Sequence, residues 1–287
     1  MPRLNVEIYQ SLLDALIARC NETGESLRHF VSRALSDALG LDHSTLFQVS
    51  TTGALVQGVY KGAVTVGELR KHGDFGLGTF EGLDGEMVVV DGRFYQVHSD
   101  GRITVPPDAA PVPFAVVTTF RPLRRVPIAA FASFEALTGQ FDAHRRSDNL
   151  FFAVRLDGRF AEIHTRVACK VEAGVPLDQA TAHQAEFRMK EVMGTIVGFW
   201  SPPYARSINV AGWHLHFLTD DRKGGGHLLG CGGQGLEAKL QDLDDLRLAI
   251  PETAQFLHAD LTQIQARHWT RPSARIEGHE HHLAGRA

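Results

Sequence analysis

The sequence predicts an α+β fold in which mixed or antiparallel β-sheets form most of the chain and follow a small N-terminal strand-helix-helix module. Three observations predict it: helical periodicity fills the first forty residues, short apolar segments bounded by Gly, Pro or Asp dominate thereafter, and helical patterns are few in that second part. We therefore divide the 287 residues into a module at 1–42 and a larger domain at 43–287.

The N-terminal module is predicted to contain one strand and two helices. PRLNVEI (2–8) alternates apolar and polar residues, which is typical of a half-buried strand. YQSLLDALIARCNETG (9–24) and SLRHFVSRALSDALG (26–40) place apolar residues at helical spacing. Because so short a segment cannot close a core alone, we expect a second copy of the chain to cover its apolar faces.

The larger domain is predicted to be built mainly from strands. Segments enriched in apolar and β-branched residues are LFQVS (46–50), ALVQGVY (54–60), GEMVVVDGRFYQV (85–97), PFAVVTTF (113–120), LFFAVRLDGRFAEIHTRVA (150–168), TIVGFW (195–200) and GWHLHFL (212–218). VPPDAAPVPF (105–114) is predicted as a loop or sheet edge, and helices are expected at 133–147, capped by Ser133, and at 252–261.

Two segments of the larger domain resemble each other. VDGRFYQVH (90–98) and LDGRFAEIH (156–164) share Asp, Gly, Arg, Phe and His at matching positions. Each places a DG turn between two strand-like stretches. The match predicts an internal duplication of one β-unit.

The candidate metal ligands lie in WHLHFLTDDRKGGGHLLG (213–230). On a strand, His214 and His216 point to one side while their apolar neighbours point to the other. TDDRKGGG is predicted as a hairpin connection that returns His227 to the same region. Three neutral nitrogen ligands with no fourth nearby are typical of a catalytic metal site that keeps a position open. The alternative is a pair of strand histidines bonded to backbone, with His227 unrelated, and the spacing does not separate zinc from copper, iron or nickel.

Composition excludes several classes of protein. A formal charge of −4 gives no overall attraction to nucleic acid or anionic lipid. Cys20, Cys169 and Cys231 have no CxxC spacing, so we expect reduced, buried thiols rather than a disulfide framework or a thiolate metal site. No run of 18 apolar residues and no signal-peptide pattern is present, so we expect a cytoplasmic protein without a membrane partner.

Residues 2–40 resemble the ribbon-helix-helix module, in which two copies pair their strands. The resemblance implies that Arg3 and Asn5 would face the major groove of DNA and that the amides near Ser26 would meet phosphate. Four arginines stand against five acidic residues in this segment, a net charge of −1, and phosphate affinity depends on basic residues. This balance favours a homodimer without DNA binding over a DNA-binding module.

Four blocks of the larger domain together resemble the acetolactate decarboxylase family. They are VSTTGALVQGVYKG (49–62), GELRKHGDFGLGTFEGLDGEMVVVDGRFYQ (67–96), HTRV (164–167) and GTIVGFWSPPYARSINVAGWHLHFLTDDRKGGGHLLG (194–230). The resemblance extends from about Leu46 to Glu277. It implies decarboxylation of 2-acetolactate, a small 2-hydroxy-3-keto acid, to acetoin and CO2.

The resemblance also implies the residues of the site. It places a metal, typically zinc, on the three histidines, and it assigns catalytic roles to Glu86 of LDGE, Arg166 of HTRV and Glu277 of RIEG. Thr79 of GTF is implied as a substrate-binding hydroxyl. Glu280 competes with Glu277 for the role of the C-terminal glutamate.

The chemistry of decarboxylation calls for such a set. Loss of CO2 leaves an enediolate, which needs an electrophile at its oxygens and a proton donor at carbon. Arg166 suits the substrate carboxylate, since guanidinium is a planar two-pronged donor, and Glu86 suits proton transfer. The alternative for Glu86 is an exposed turn residue, and the alternative for the whole protein is a nucleic-acid-associated regulator that uses the N-terminal module.

Overall fold

The structure is a computed structural model that describes residues 5–39 and 44–262. Its α-helices are α1 (Gln10–Thr23), α2 (Leu27–Leu39), α3 (Thr52–Val56), α4 (Val66–Leu69), α5 (Phe134–Asp142), α6 (Leu177–Ala180) and α7 (Ala254–Leu257). Its strands are β1 (Thr45–Val49), β2 (Val64–Thr65), β3 (Phe75–Thr79), β4 (Glu86–Val90), β5 (Arg93–Val97), β6 (Ile103–Thr104), β7 (Pro111–Val112), β8 (Phe114–Thr118), β9 (Arg124–Ile128), β10 (Phe151–Val167), β11 (Ala185–Ser201), β12 (Gly212–Thr219), β13 (Gly225–Gly233), β14 (Leu236–Leu243) and β15 (Asp245–Ala249).

Two large sheets carry the fold. The first has the order β15-β1-β8-β3-β4-β5-β6, and its pairs are antiparallel except β1 with β15. The second has the order β11-β12-β13-β10-β14-β9 and is antiparallel throughout. Because β10 also pairs with β11, strands β10 to β13 form a closed circuit. The predicted α+β fold with mixed and antiparallel sheets is confirmed.

The main hydrophobic core lies between the two sheets. Leu77 and Val88 of the first sheet belong to the same cluster of buried residues as Phe199 and Leu218 of the second. Alternate residues of the strands point outward into separate clusters, one around Val89 and α4, the other around Phe217 and α5. This alternation is the period of two expected of strands, and it decides which side chains face the interlayer space.

Two predicted elements are wrong. ALVQGVY (54–60) is not a strand, because the Thr51 side chain accepts a hydrogen bond from the Ala54 amide at 3.1 Å and begins helix α3 there. Asp157 and Gly158 form no turn, since they lie inside the 17-residue strand β10, which is paired on both sides. The DG turn at Asp91 and Gly92 does connect β4 with β5, so the two resembling segments differ in structure and the duplication stays a prediction.

Most of the remaining predictions for the larger domain agree with the structure, but the helix expected at 252–261 is limited to the four residues of α7. The other six predicted strand segments contain strands, and Ser133 caps α5 by accepting from the Ala136 amide. The proline-rich stretch contributes the two-residue strand β7 and the first residue of β8. Strands β2, β3, β6, β9, β14 and β15 were not predicted. All three cysteines are free, although only Cys231 is buried.

The N-terminal module contains its two predicted helices. The strand predicted at 2–8 is not found in its described part, because residues 5–9 belong to no helix or strand; residues 1–4 lie outside the described chain. A ribbon strand needs a partner strand, which a single copy of this segment does not supply. Within residues 5–39 and 44–262, no helix combines the length and the apolar character needed to cross a membrane.

Candidate active site

Three histidine side chains converge on the face of the β12–β13 hairpin that is turned toward the first sheet. His214 and His216 lie on β12 and share one face, while His227 on β13 is the direct cross-strand partner of His216. The Nε2 atoms of His214 and His216 are 3.1 Å apart, and one ring nitrogen of each histidine lies within 4.8 Å of the others. The predicted convergence of the three rings is therefore present, and His227 belongs to the group.

The hairpin turn and a glycine bring His227 into place. In the turn, the Thr219 hydroxyl accepts hydrogen bonds from the amides of Lys223 and Gly224, each at 3.0 Å. Gly226 has φ +129°, and a Cβ there would meet the Arg166 carbonyl oxygen at 2.5 Å. This close approach, open only to glycine, lets β13 pair with β10 beside the histidines.

Burial keeps these three imidazoles neutral. His214, His216 and His227 are 5%, 1% and 8% exposed. Burial lowers the pKa of His216 to about 4 and lowers the pKa values of His214 and His227 well below the usual value. His216 Nδ1 lies 2.8 Å from the Met87 carbonyl oxygen and donates to it, which leaves Nε2 with its lone pair toward the other two rings. A buried set of three neutral nitrogens fits zinc and other imidazole-binding divalent metals.

Glu86 approaches the histidines from the other sheet. It begins β4, opposite Thr79 on β3, and Gly85 before it has φ +86°. Glu86 Oε1 accepts from the Ala168 amide at 3.3 Å, and Oε2 lies 3.5 Å from His216 Nε2. Its side chain is only 13% exposed, so it is not an exposed turn residue. Burial raises the pKa of Glu86 to about 7, against the opposing effect of the nearby Arg166 charge.

Arg166 supplies the positive charge of the site. It lies on β10 directly opposite His227, and its Nη1 donates to Gln184 Oε1 at 3.1 Å. Burial lowers the pKa of Arg166, and the Glu86 carboxylate raises it. A guanidinium remains charged in proteins, so burial makes this cation a strong attractor for an anion.

These groups border one cavity between the two sheets. It is lined by Thr52, Leu55, Gly78, Thr79, Leu83, Glu86, Phe114, Arg166, Ala168, Leu177, Thr181, Gln184, Val210 and His214. Four of the seven residues singled out from the sequence thus share a cavity with mixed polar and apolar walls, and His216 and His227 adjoin it through His214. The Thr79 hydroxyl donates to the Gly85 carbonyl at 2.7 Å. Glu277 and Glu280 lie outside the described residues.

Sequence reasoning missed three polar residues of the cavity wall. Thr52 sits within the quoted block 49–62, but its segment was assigned to no helix. Thr181 and Gln184 belong to the connection between β10 and β11, which carries no periodic pattern. Only the folded chain brings that connection over the site.

Comparison with known proteins agrees with this geometry. The sequence profile of the family described as Alpha-acetolactate decarboxylase matches residues 46–263. The chain belongs to the alpha-acetolactate decarboxylase family. Membership confirms the predicted enzyme class, a carboxy-lyase, and the match begins after α1 and α2.

Relatives and a solved structure show how far the likeness to alpha-acetolactate decarboxylases extends. The chain is 40% identical to the alpha-acetolactate decarboxylase of Methylococcus capsulatus over 228 residues, which cover 79% of this chain and 88% of that protein. It is 37% identical to the Brevibacillus brevis protein of the same name over 222 residues, 77% and 78% of the two chains. The crystal structure of alpha-acetolactate decarboxylase from Bacillus subtilis strain 168 superposes with a TM-score of 0.74 at 38% identity, covering 76% of this chain and 94% of that one.

Proposed function

We propose that this protein catalyses the metal-dependent decarboxylation of 2-acetolactate to acetoin and CO2. The observation that carries the proposal is the meeting of three neutral imidazoles, a buried carboxyl group and a buried guanidinium at one cavity between the sheets. Relatives with the name alpha-acetolactate decarboxylase support the substrate. The acidic N-terminal segment gives no support to the alternative of a nucleic-acid-associated regulator.

His214, His216 and His227 would hold the metal, for which zinc is our proposal. When bound, such an ion supplies Lewis acidity that stabilises negative charge on substrate oxygens. The histidines contribute neutral nitrogen donors at neutral pH, because burial keeps their pKa values low. The hydrogen bond from His216 to Met87 fixes the orientation of that ring.

Arg166 binds the substrate carboxylate in this proposal. Its guanidinium borders the cavity and offers paired N–H donors that match a carboxylate. The bond between the carboxylate carbon and C2 breaks, CO2 leaves, and the electron pair moves through C2 toward the neighbouring keto oxygen.

Glu86 moves the protons. Its carboxylate accepts the substrate hydroxyl proton and later delivers that proton to C2. One proton taken up from solvent then restores the hydroxyl group, so that overall one proton replaces CO2 in the product. A pKa near 7 suits a group that must both accept and donate a proton at neutral pH. Thr79, opposite Glu86, is proposed to bind substrate, and Glu277 is proposed as a further catalytic group.

One assay tests the function. Purified protein is incubated with 2-acetolactate, and acetoin is measured before and after chelation, after zinc is restored, and in His216→Ala. We expect activity to be lost on chelation and in the variant, and to return with zinc. His258→Ala, at an exposed histidine on the C-terminal side of α7, should behave as wild type. Activity that survives both chelation and His216→Ala would overturn the metal-dependent mechanism.

We further propose that residues 1–42 form a ribbon-helix-helix-like module that joins two copies of the chain, with residues 43–287 as the catalytic domain. Helix α1 buries no residue, and the two helices with the segment before them expose Val6, Ile8, Leu12, Ile17, Leu27, Val31 and Leu35. A second copy would cover these side chains by pairing its own strand and helices with them. Light scattering of the full chain should give at least a dimer, and Val31→Glu should weaken it. A monomeric wild-type chain would refute the module.

A further inference from the structure

Gln184 stands directly before β11 and contacts the charged centre of the cavity. Its Oε1 accepts a hydrogen bond from Arg166 Nη1 at 3.1 Å, and its Nε2 donates to Glu186 Oε1 at 3.3 Å. Both ends of the amide are therefore used, which sets its orientation. Gln184 also lines the cavity itself.

Glu186, which accepts the hydrogen bond from the Gln184 amide, also contacts a histidine. Glu186 lies opposite Arg166 in the β10–β11 pairing, and its Oε2 is 2.9 Å from His164 Nε2. The Glu186 side chain is 43% exposed, so this carboxylate sits toward solvent. The neutral amide of Gln184 is thus the group placed between an outer carboxylate and the inner guanidinium.

We propose that Gln184 is a positioning residue that holds Arg166 toward the substrate carboxylate without neutralising its charge. The inference rests on the proposed function and adds to it a residue that no motif indicates. A neutral acceptor orients a guanidinium through one N–H and leaves the net positive charge for the ligand. A carboxylate in the same place would form a charged pair with Arg166 and compete with the substrate anion.

Two substitutions separate orientation from charge. Gln184→Glu keeps the acceptor and adds a negative charge, whereas Gln184→Met keeps the approximate size and removes the acceptor. Gln234→Glu, on the exposed turn between β13 and β14, adds the same charge away from the cavity and serves as control. All variants are prepared with zinc, and their metal content and thermal unfolding are recorded.

The readout compares two probes on the zinc-loaded full chain. One is 2-hydroxyisobutyrate, a small 2-hydroxy carboxylate, and the other is acetoin, the neutral product; inhibition by each is measured together with kcat and KM. We expect Gln184→Glu to weaken carboxylate inhibition by about tenfold or more, because one charged hydrogen-bond partner now competes for Arg166. Inhibition by acetoin should change by less than about twofold, and Gln184→Met should weaken carboxylate inhibition by several-fold.

The outcomes are distinct. Equal losses for both probes would mean that Gln184 only supports the cavity wall, and unchanged carboxylate inhibition in both variants would mean that Arg166 needs no positioning; either result overturns the inference. If Gln184→Met does not fold, Gln184→Glu alone still compares the two probes. A wild-type protein that turns over no acetolactate would instead refute the proposed function.

Discussion

Replacing Gly85 by alanine should damage both the stability and the activity of this protein, because Gly85 sets the position of Glu86. Gly85 has φ +86°, and a Cβ there would overlap the Val97 carbonyl oxygen, well inside the 3.0 Å below which real Cβ contacts essentially never occur. Gly92, in the turn that follows β4, offers a matched control. Its φ is +73°, but the nearest atom to an added Cβ is Asp74 Cβ at 3.9 Å.

Comparing Gly85→Ala with Gly92→Ala separates the cost of backbone strain from the cost of steric overlap in the free energy of unfolding. A left-handed backbone costs a non-glycine residue about 1 to 2 kcal/mol, and the stiffer unfolded chain returns about 0.4 to 1 kcal/mol. Gly92→Ala should therefore lower the free energy of unfolding by about 1 kcal/mol. Gly85→Ala carries the same strain plus a backbone displacement of the overpacking kind, which adds about 1 to 3 kcal/mol. We expect a total of about 2 to 4 kcal/mol.

Urea unfolding measures the stability difference, and acetoin formation measures the activity. A shift of about 1 Å in a reacting group can cost about a hundredfold in rate, so we expect a loss of that order in Gly85→Ala and less than about twofold in Gly92→Ala. If the two variants unfold at the same urea concentration and keep the same kcat, the steric account of Gly85 is wrong.

Three further predictions concern protonation and metal. Glu86→Gln keeps the shape of the side chain but cannot transfer a proton, so kcat should fall by about 100- to 10,000-fold while the protein remains folded by circular dichroism. Zinc should raise the melting temperature of the wild-type protein in differential scanning calorimetry, because a ligand that binds the folded state stabilises that state. The melting temperature of His216→Ala should not change with zinc. Although burial opposes it, hydrogen bonds from Lys239 and Arg155 hold the pKa of Asp157 below its usual value of 3.8. The stability that this carboxylate contributes is therefore present above that pH and is lost as pH falls through the folded pKa. The stability gap between wild type and Asp157→Asn, measured by urea unfolding, should close as pH falls below about 4, and a constant gap would contradict this.

The histidine group could be predicted from sequence because only local rules were needed. Alternation on a strand places His214 and His216 on one face, and a glycine-rich turn returns His227 within one hairpin. The same kind of local signal was present but not used for β14. There Leu236, Ala238 and Leu240 are buried, and charged residues alternate with them.

The errors arose where tertiary pairing or a single cap overrides a local signal. A DG pair predicts a turn, yet Asp157 pairs with strands on both sides of β10 and Gly158 pairs with Gly194 of β11, so the strand continues through both residues. An apolar run of seven residues fits a strand or a helix, and the Thr51 cap decides for helix in α3. Gln184 carries no pattern at all, because its contact with Arg166 depends on how β10 and β11 pair.

The interlayer faces of β4 and β12 mark the site by the polarity of their residues. In β4 and β12 the interlayer face is apolar at one end, with Val88 and Leu218 in the main core, and polar at the other. The polar ends are Glu86 in β4 and His214 and His216 in β12. Burying a carboxyl group or an imidazole costs free energy unless the group has a hydrogen-bond partner. Folding alone would therefore favour apolar residues at these positions. These polar ends meet where β4 and β12 of different layers are joined by the hydrogen bond from His216 to Met87, which is the arrangement that the proposed active site requires.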